Sequence, residues 1–123
     1  MSNKKNYGDS LAENVAVYLQ NGKCLTYEHK EYCGTGLIFE DNVYYYCEVY
    51  DGSTFREILA FDTKKKFVTW LAKQSDYSMS RIDEEGISEF SVNNQCITKE
   101  RLTNLAEWVE RNEWIGVAKK WIM

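Results

Sequence analysis

The sequence predicts an α+β domain in which an antiparallel sheet of three to five strands carries about three helices. Three short apolar runs separated by turn residues lie between Gly36 and Phe61. Alternation within short runs that are bounded by Asp, Asn and Gly is typical of antiparallel strands. Segments with helical periodicity precede and follow these runs. A chain of 123 residues fits one domain, residues 1–123, with a single core.

The N-terminal segment predicts an arm followed by the first helix. Residues 1–8 are polar, and we expect them to form a loose arm. Ser10–Glu13 has the pattern of a capping box, and Gly22 is suited to the residue after the helix. The residues that repeat at helical spacing between these signals are Leu11, Val15, Tyr18 and Leu19.

The central segment predicts a meander of three strands. The run KCLTYEH has the composition of a preceding strand, whereas the glycines of YCGTG predict a loop. The strands of the meander are GLIFE, VYYYCEVY and TFREILAF, and DN and DGS join them. The chain contains no proline, so its turns depend on Gly, Asn and Asp.

The C-terminal half predicts two more helices. The second begins after Asp62 or Thr63 and has an apolar face of Phe67, Trp70, Leu71 and Gln74. We expect a loop over residues 77–91, with a short element near ISEFSV. Thr98 is suited to cap a third helix, whose apolar stripe is Leu102, Leu105, Ala106 and Val109. The tail WIGVAKKWIM is apolar enough to pack against the body of the domain.

The composition restricts the function. Fifteen Lys and Arg against nineteen Asp and Glu give a net charge of −4, which disfavours direct binding to nucleic acid and favours a basic partner. No segment has the roughly 20 apolar residues that cross a bilayer. We therefore predict a cytoplasmic protein with no membrane association, whose four cysteines are reduced thiols.

No catalytic or metal-binding pattern is present in the sequence. His29 lies among charged residues without a neighbouring nucleophile, and the acidic run Asp83–Glu85 has the composition of a solvated loop. The cysteines form no CxxC pair. We expect neither an enzyme nor a bound metal or cofactor. The basic run Lys64–Lys66 has the charge to contact a phosphate or an acidic partner, but we interpret it as a solvated helix face.

The strand VYYYCEVY predicts a candidate binding surface. Alternation places Val43, Tyr45, Cys47 and Val49 on one face, which we expect to be the core. The opposite face combines tyrosines with negative charge, a composition that suits an interface with a basic protein. The residues of this predicted interface are Glu40, Asp41, Tyr44, Tyr46, Glu48, Tyr50 and Asp51. The same alternation also fits a strand whose tyrosine face is covered by a helix, with the hydroxyl groups reaching its edge.

Two segments resemble the immunity proteins of bacterial polymorphic-toxin systems, in particular those of contact-dependent growth inhibition. The first has the pattern Phe67, Trp70, Leu71, Gln74, Ser75 and Asp76. The second has the pattern Asn94, Gln95, Ile97, Thr98, Arg101 and Leu102. The resemblance covers residues 61–109, and most of the matching positions are expected to be helix caps and core contacts rather than site residues.

The resemblance implies a cytosolic protein that neutralises a cognate toxin domain by stoichiometric binding. Such a toxin is the C-terminal fragment of a large secreted or surface effector, and many are nucleases with basic grooves. No catalytic residue follows from the resemblance. A small-ligand or peptide-binding regulatory domain, without a toxin partner, remains the alternative.

Overall fold

A computed structural model describes residues 5–27, 33–50, 54–79 and 97–110 and confirms the α+β class. The strands are β1 (Lys23–Tyr27), β2 (Cys33–Glu40), β3 (Val43–Tyr50), β4 (Thr54–Phe61) and β5 (Val109–Glu110). The α-helices are α1 (Asp9–Gln20), α2 (Lys64–Ala72), α3 (Asp76–Met79) and α4 (Lys99–Thr103). A 3₁₀ turn, Leu105–Glu107, lies between α4 and β5.

The strands form one antiparallel sheet in the order β4-β3-β2-β1-β5. The predicted meander is confirmed as β2, β3 and β4, and KCLTY is confirmed as β1. A loop was predicted over YCGTG, and this prediction was wrong for residues 33–36, which belong to β2. Gly36 pairs with Thr26 on one side and with Cys47 on the other, so neighbours on both sides hold this backbone extended.

The turn between β2 and β3 consists of two residues in the left-handed region. Asp41 has φ 55° and Asn42 has φ 65°. Two consecutive positive φ values are typical of a type I′ hairpin turn, and Asp and Asn tolerate this region better than most residues. The sequence DN therefore fixes the register in which Glu40 pairs with Val43.

Helix α1 begins one residue before the predicted capping box. Its N-cap is Gly8, with φ 93° and no side-chain cap, so the prediction of a Ser10 cap was wrong. Residues 7 and 8 are also not loose. The backbone N–H groups of Tyr7 and Gly8 donate to the carbonyls of Gln74 and Ala72 at 2.8 and 3.0 Å, and the Tyr7 side chain is buried. Backbone bonds to the end of α2 therefore anchor this part of the arm. At the other end of α1, Gly22 has φ 91°, as expected for a residue that terminates a helix.

Helix α2 is the helix that the sequence predicts most accurately. The Thr63 hydroxyl accepts a hydrogen bond from the Lys66 N–H at 3.1 Å and caps the helix. Phe67 and Leu71 are fully buried, and Trp70 is half-buried against the same core. Helix α3 follows at Asp76–Met79, inside the segment for which a loop was predicted, and Met79 is buried.

The third predicted helix is interrupted. Thr98 caps α4 as expected, since its hydroxyl accepts from the Arg101 N–H, but the helix ends at Thr103. The Asn104 side-chain oxygen accepts from the Ala106 N–H at 3.1 Å and begins the 3₁₀ turn instead. This local bond competes with helix continuation. The predicted stripe is therefore wrong beyond Leu102: Leu105 is 58% exposed, and Val109 pairs with Cys24 in the sheet.

The centre of the sheet is buried on both faces. Leu37 and Ile38 are consecutive residues of β2, so they point to opposite sides, and both have no exposed surface. Buried apolar residues from all the described segments form one cluster. None of the described helices has the length and apolar character needed to cross a membrane.

Candidate functional site

Tyr44 and Tyr46, the centre of the predicted interface, lie in the core. They are 2% and 0% exposed. The Tyr44 ring stacks on Phe67 of α2 at a centroid distance of 4.9 Å, and the Tyr46 ring lies 5.5 Å from Trp70. The prediction that these tyrosines contact a partner was wrong, because the apolar face of α2 covers them.

The alternative interpretation, in which a helix covers the tyrosine face, is correct for these two residues. The Tyr44 hydroxyl accepts a hydrogen bond from the Gln20 side chain at the end of α1. Its phenol therefore has a buried ring and a polar atom at the helix edge, as is common for a buried tyrosine. Glu48 and Tyr50 are described only as backbone of β3, and Asp51 lies outside the described residues.

Two acidic residues of the predicted interface, Glu40 and Asp41, instead lie near Tyr45, on the opposite face of β3. Tyr45 pairs with Ala60 of β4, Glu40 ends β2, and Asp41 is in the turn. Glu57 of β4 pairs with Cys47. Because Cys47 is two residues after Tyr45 in β3, both residues and Glu57 are on the same face of the sheet. We name Glu40, Asp41, Tyr45 and Glu57 the acidic corner. The predicted core face of β3 is confirmed for Cys47, which is buried, whereas Tyr45 packs against the core but is only partly buried.

The electrostatics of Tyr45 show that these groups act on one another. Partial burial raises the pKa of the Tyr45 phenol, and the negative charges of Glu57, Glu40 and Asp41 raise that pKa further. Asp41 and Glu57 are exposed, whereas Glu40 is half-buried. Its Oε1 atom is buried and accepts no hydrogen bond from the part of the chain that the structure describes. The acidic corner therefore combines an aromatic ring, three carboxylates and an unsatisfied acceptor atom.

The lysine run of α2 has a different environment. Lys64 forms an ion pair with Glu13 of α1, and this hydrogen bond raises the pKa of the Lys64 ammonium group. Lys66 pairs with Asp62 at 3.0 Å, and its ammonium group holds the pKa of that carboxyl below its usual range. Lys65 and Lys66 border a cleft of about 630 Å³, which we name the lysine cleft. Its lining residues are Phe61, Lys65, Lys66, Thr69, Trp70, Lys73 and Gln74.

An apolar cleft of about 350 Å³ separates α1 from the segment that contains α4 and the 3₁₀ turn. Tyr18 and Trp108 meet edge to face at 5.2 Å on its wall, and Val17 and Leu105 are 41% and 58% exposed at its mouth. The Trp108 Nε1 atom is buried without an acceptor. This cleft has the size and lining of a small-molecule pocket.

The residues considered for catalysis are only partly described. His29 and Asp83–Glu85 lie outside the described residues. Within residues 5–27, 33–50, 54–79 and 97–110, no three His, Cys, Asp or Glu side chains are grouped as metal ligands would be. Cys24 and Cys47 are buried, and the Cys47 Sγ donates to the Gly36 carbonyl at 3.5 Å.

The sequence contains a signal for the lysine cleft that the interpretation of Lys64–Lys66 as a solvated face missed. Lys66, Thr69, Trp70 and Lys73 follow the spacing i, i+3, i+4, i+7 of one helix face. That face is therefore both basic and aromatic, rather than uniformly polar.

Comparison with models of known protein families, with curated proteins and with solved structures finds no match to this chain.

Proposed function

We propose that this chain is an immunity protein that binds a basic toxin domain through the acidic corner. The partner is the C-terminal toxin fragment of a large secreted or surface effector, and its basic surface is the substrate groove of a nuclease. Neutralisation occurs in the cytoplasm by stoichiometric occlusion of that groove. The observation that carries the proposal is the grouping of three carboxylates around the half-exposed ring of Tyr45.

The composition of the acidic corner suits a basic protein surface. A tyrosine supplies a large contact area at a low cost in side-chain entropy, and tyrosines are enriched among residues that dominate binding energy. The carboxylates accept charge-assisted hydrogen bonds from Arg and Lys. A cationic side chain that reaches Glu40 would also supply a donor for the oxygen that accepts no hydrogen bond.

The rigidity of the corner favours binding over a solvated loop. Asp41 lies in a two-residue turn, and Tyr45 and Glu57 lie on paired strands. These backbones are ordered before binding, so association costs less conformational entropy than it would for flexible side chains on a long loop. The negative charge of the whole chain accelerates encounter with a basic partner at low salt.

The resemblance of residues 61–109 to immunity proteins supports the same role. In the structure, Thr98 of that pattern is a helix cap. Four other residues of the pattern are buried in the core, namely Phe67, Leu71, Ile97 and Leu102. The resemblance therefore concerns the scaffold, and the acidic corner lies outside it.

The proposal is tested by affinity capture from a lysate of the bacterium that encodes the chain, with the tagged wild type and two charge-reversal variants. The first variant is Glu40→Lys/Glu57→Lys in the corner. The control is Glu100→Lys/Glu107→Lys on α4 and the 3₁₀ turn, which changes the net charge equally. Captured proteins are identified and quantified by mass spectrometry.

We expect the wild type and the control to retain a stoichiometric, basic C-terminal fragment of a very large protein, and the corner variant to lose it. Retention of the fragment by the folded corner variant would contradict the proposed interface. Failure of the wild type to retain any stoichiometric partner from a lysate that contains the effector would contradict the immunity function.

A small-ligand or peptide-binding regulatory domain is the second candidate, and the apolar cleft between α1 and α4 favours it. A ligand in that cleft would contact Tyr18, Leu105 and Trp108. Thermal-shift screening with small apolar compounds tests this function. A rise in melting temperature that depends on ligand concentration and disappears in Leu105→Lys would support it.

A further inference from the structure

The lysine cleft combines positive charge with exposed aromatic surface. Three lysines line it, all exposed, and none of the described residues in its lining is acidic. Its floor is formed by Phe61 and Trp70, which are half-buried with ring centroids 5.1 Å apart. In a chain of net charge −4, this cleft is a local concentration of positive charge.

The cleft is built by the junction of β4 and α2. Phe61 is the last residue of β4, and the remaining lining residues come from α2 or from the two residues that follow it. Gln74 is fixed in the wall, since its Nε2 donates to the Trp70 carbonyl at 2.9 Å and its Oε1 accepts from the Ser78 hydroxyl at 2.9 Å. The aromatic floor and this wall are therefore preformed, whereas the lysine side chains are able to adjust.

The charges available to a ligand are those of Lys65, Lys66 and Lys73. Lys66 is paired with Asp62, but both side chains are more than half exposed, and an exposed pair of this kind contributes little free energy. A ligand carboxylate therefore competes with Asp62 at low cost. Among the described residues, Lys65 and Lys73 form no ion pair.

We propose that the lysine cleft binds an acidic peptide segment of a protein partner, with an aromatic side chain between its carboxylates. Lys66 and Lys73 are seven residues apart on α2, which corresponds to about 10 Å along the helix axis. An extended peptide covers that distance with about three residues at about 3.3 Å each. Carboxylates at the two ends would meet the lysines while the aromatic ring contacts Phe61 and Trp70.

An acidic peptide fits the molecule better than a nucleic acid does. A strand of nucleic acid extends beyond the cleft, and the net charge of −4 repels the phosphates that lie outside it. A short peptide confines its charge to the cleft. This site goes beyond the proposed toxin binding, because α2 packs on one face of the sheet and the acidic corner lies on the other.

The experiment is an NMR titration of the ¹⁵N-labelled full chain with the peptide Gly-Glu-Phe-Asp-Glu-Gly at low salt. Two control peptides replace the acidic residues by Gln and Asn, or the Phe by Ala. The cleft variant is Lys65→Glu/Lys73→Glu. Its charge-matched control is Lys5→Glu/Lys99→Glu, at two exposed lysines outside the cleft. A d(T)₆ oligonucleotide is titrated in parallel.

We expect the acidic peptide to shift the Trp70 indole signal and the amide signals of residues 65–74. The affinity should fall at least about tenfold in the cleft variant and with either control peptide, and less than about twofold in the charge-matched control. Absence of shifts at millimolar peptide, or shifts centred elsewhere, would overturn the proposal. Tighter binding of d(T)₆ at the same residues would also overturn it, in favour of a phosphate site. None of these results tests the acidic corner, because capture of its partner is measured separately with the Glu40→Lys/Glu57→Lys variant.

Discussion

The two faces of β3 differ in what covers them, although both carry tyrosines. On one face, Tyr44 and Tyr46 are buried under the aromatic residues of α2. On the other face, Tyr45 is half-exposed among three carboxylates. Three consecutive tyrosines therefore belong to two environments, one apolar and structural, the other acidic and accessible.

The difference shows that strand alternation alone does not identify the functional face. Alternation correctly separates Tyr44 and Tyr46 from Tyr45, but the covering element decides which side is accessible. Glu40 and Asp41 of the predicted interface lie on the side of the sheet opposite to its two central tyrosines. A binding surface at this end of the molecule therefore has one tyrosine at its centre.

The largest expected effect is the loss of stability when a core-face tyrosine is truncated. Tyr46→Ala removes a fully buried ring that packs against Trp70, and we expect a loss of about 3–5 kcal/mol in the free energy of unfolding. The matched variant Tyr45→Ala should lose less, about 1–2 kcal/mol, since part of its ring is exposed. Urea unfolding followed by circular dichroism measures both. Equal losses would contradict the distinction between the faces.

The next effect concerns the turn that positions Asp41. Asn42→Ala places a residue with a weaker preference for positive φ at 65°, and we expect a loss of about 1 kcal/mol. Asn42→Gly should instead preserve or raise the stability, because glycine adopts this region without steric cost. Thermal unfolding of the two variants compares them directly. A more stable Ala variant than Gly variant would exclude the type I′ geometry.

A smaller effect is expected at the edge of the core face. Tyr44→Phe keeps the ring stacked on Phe67 but removes the acceptor of the Gln20 hydrogen bond. We expect a loss of about 1 kcal/mol, with unchanged far-ultraviolet circular dichroism. In the double variant Tyr44→Phe/Gln20→Ala, the two effects should be less than additive. Full additivity would show that the two side chains are energetically independent.

The smallest effect is a pH dependence of the stability that arises from the Tyr45 phenol. The folded state raises the phenol pKa above its ordinary value of 10.0, so the folded protein retains this proton at a pH where the unfolded chain loses it. The associated stability is complete below pH 10 and decreases as the pH rises through the folded-state pKa. Glu57→Gln removes one of the negative charges and should lower the pKa of Tyr45. Absorbance titration at 295 nm measures the change in the Tyr45 pKa, and the variant Tyr45→Phe assigns the signal. A rise in this pKa in Glu57→Gln would contradict the prediction.

The sequence predicts the fold accurately where the local signals are consistent with the tertiary contacts. Thr63 and Thr98 cap their helices, and the DN pair forms the turn, because each depends on a residue's own hydrogen-bonding groups and preferred φ. The third helix is different. Asn104 begins a competing turn, and the pairing of β5 with β1 requires a partner that is more than 80 residues away in the sequence. Helical periodicity contains no information about either contact.

The candidate site is less predictable than the fold. The carboxylates Glu40 and Asp41 are correctly associated with a surface, but their neighbour Glu57 belongs to another strand, and the strand register near it is irregular. Tyr46 pairs with Leu59 and Cys47 with Glu57, so one residue of β4 is skipped. This bulge decides that Glu57 lies opposite Cys47, on the face of the sheet that carries Tyr45. Bulges follow from the pairing of two strands rather than from the pattern of one.

Residue-level hydroxyl-radical footprinting of the native chain tests the central claim most directly, because radical oxidation reports the solvent exposure of each ring. Tyr77, which is 41% exposed, provides an internal reference within the same sample. We expect Tyr45 to be oxidised at a rate of the same order as Tyr77, while Tyr44 and Tyr46 remain protected until the protein is unfolded. Oxidation of Tyr44 or Tyr46 in the native state at the rate of Tyr45 would contradict it, because the two faces of β3 would then be equally accessible.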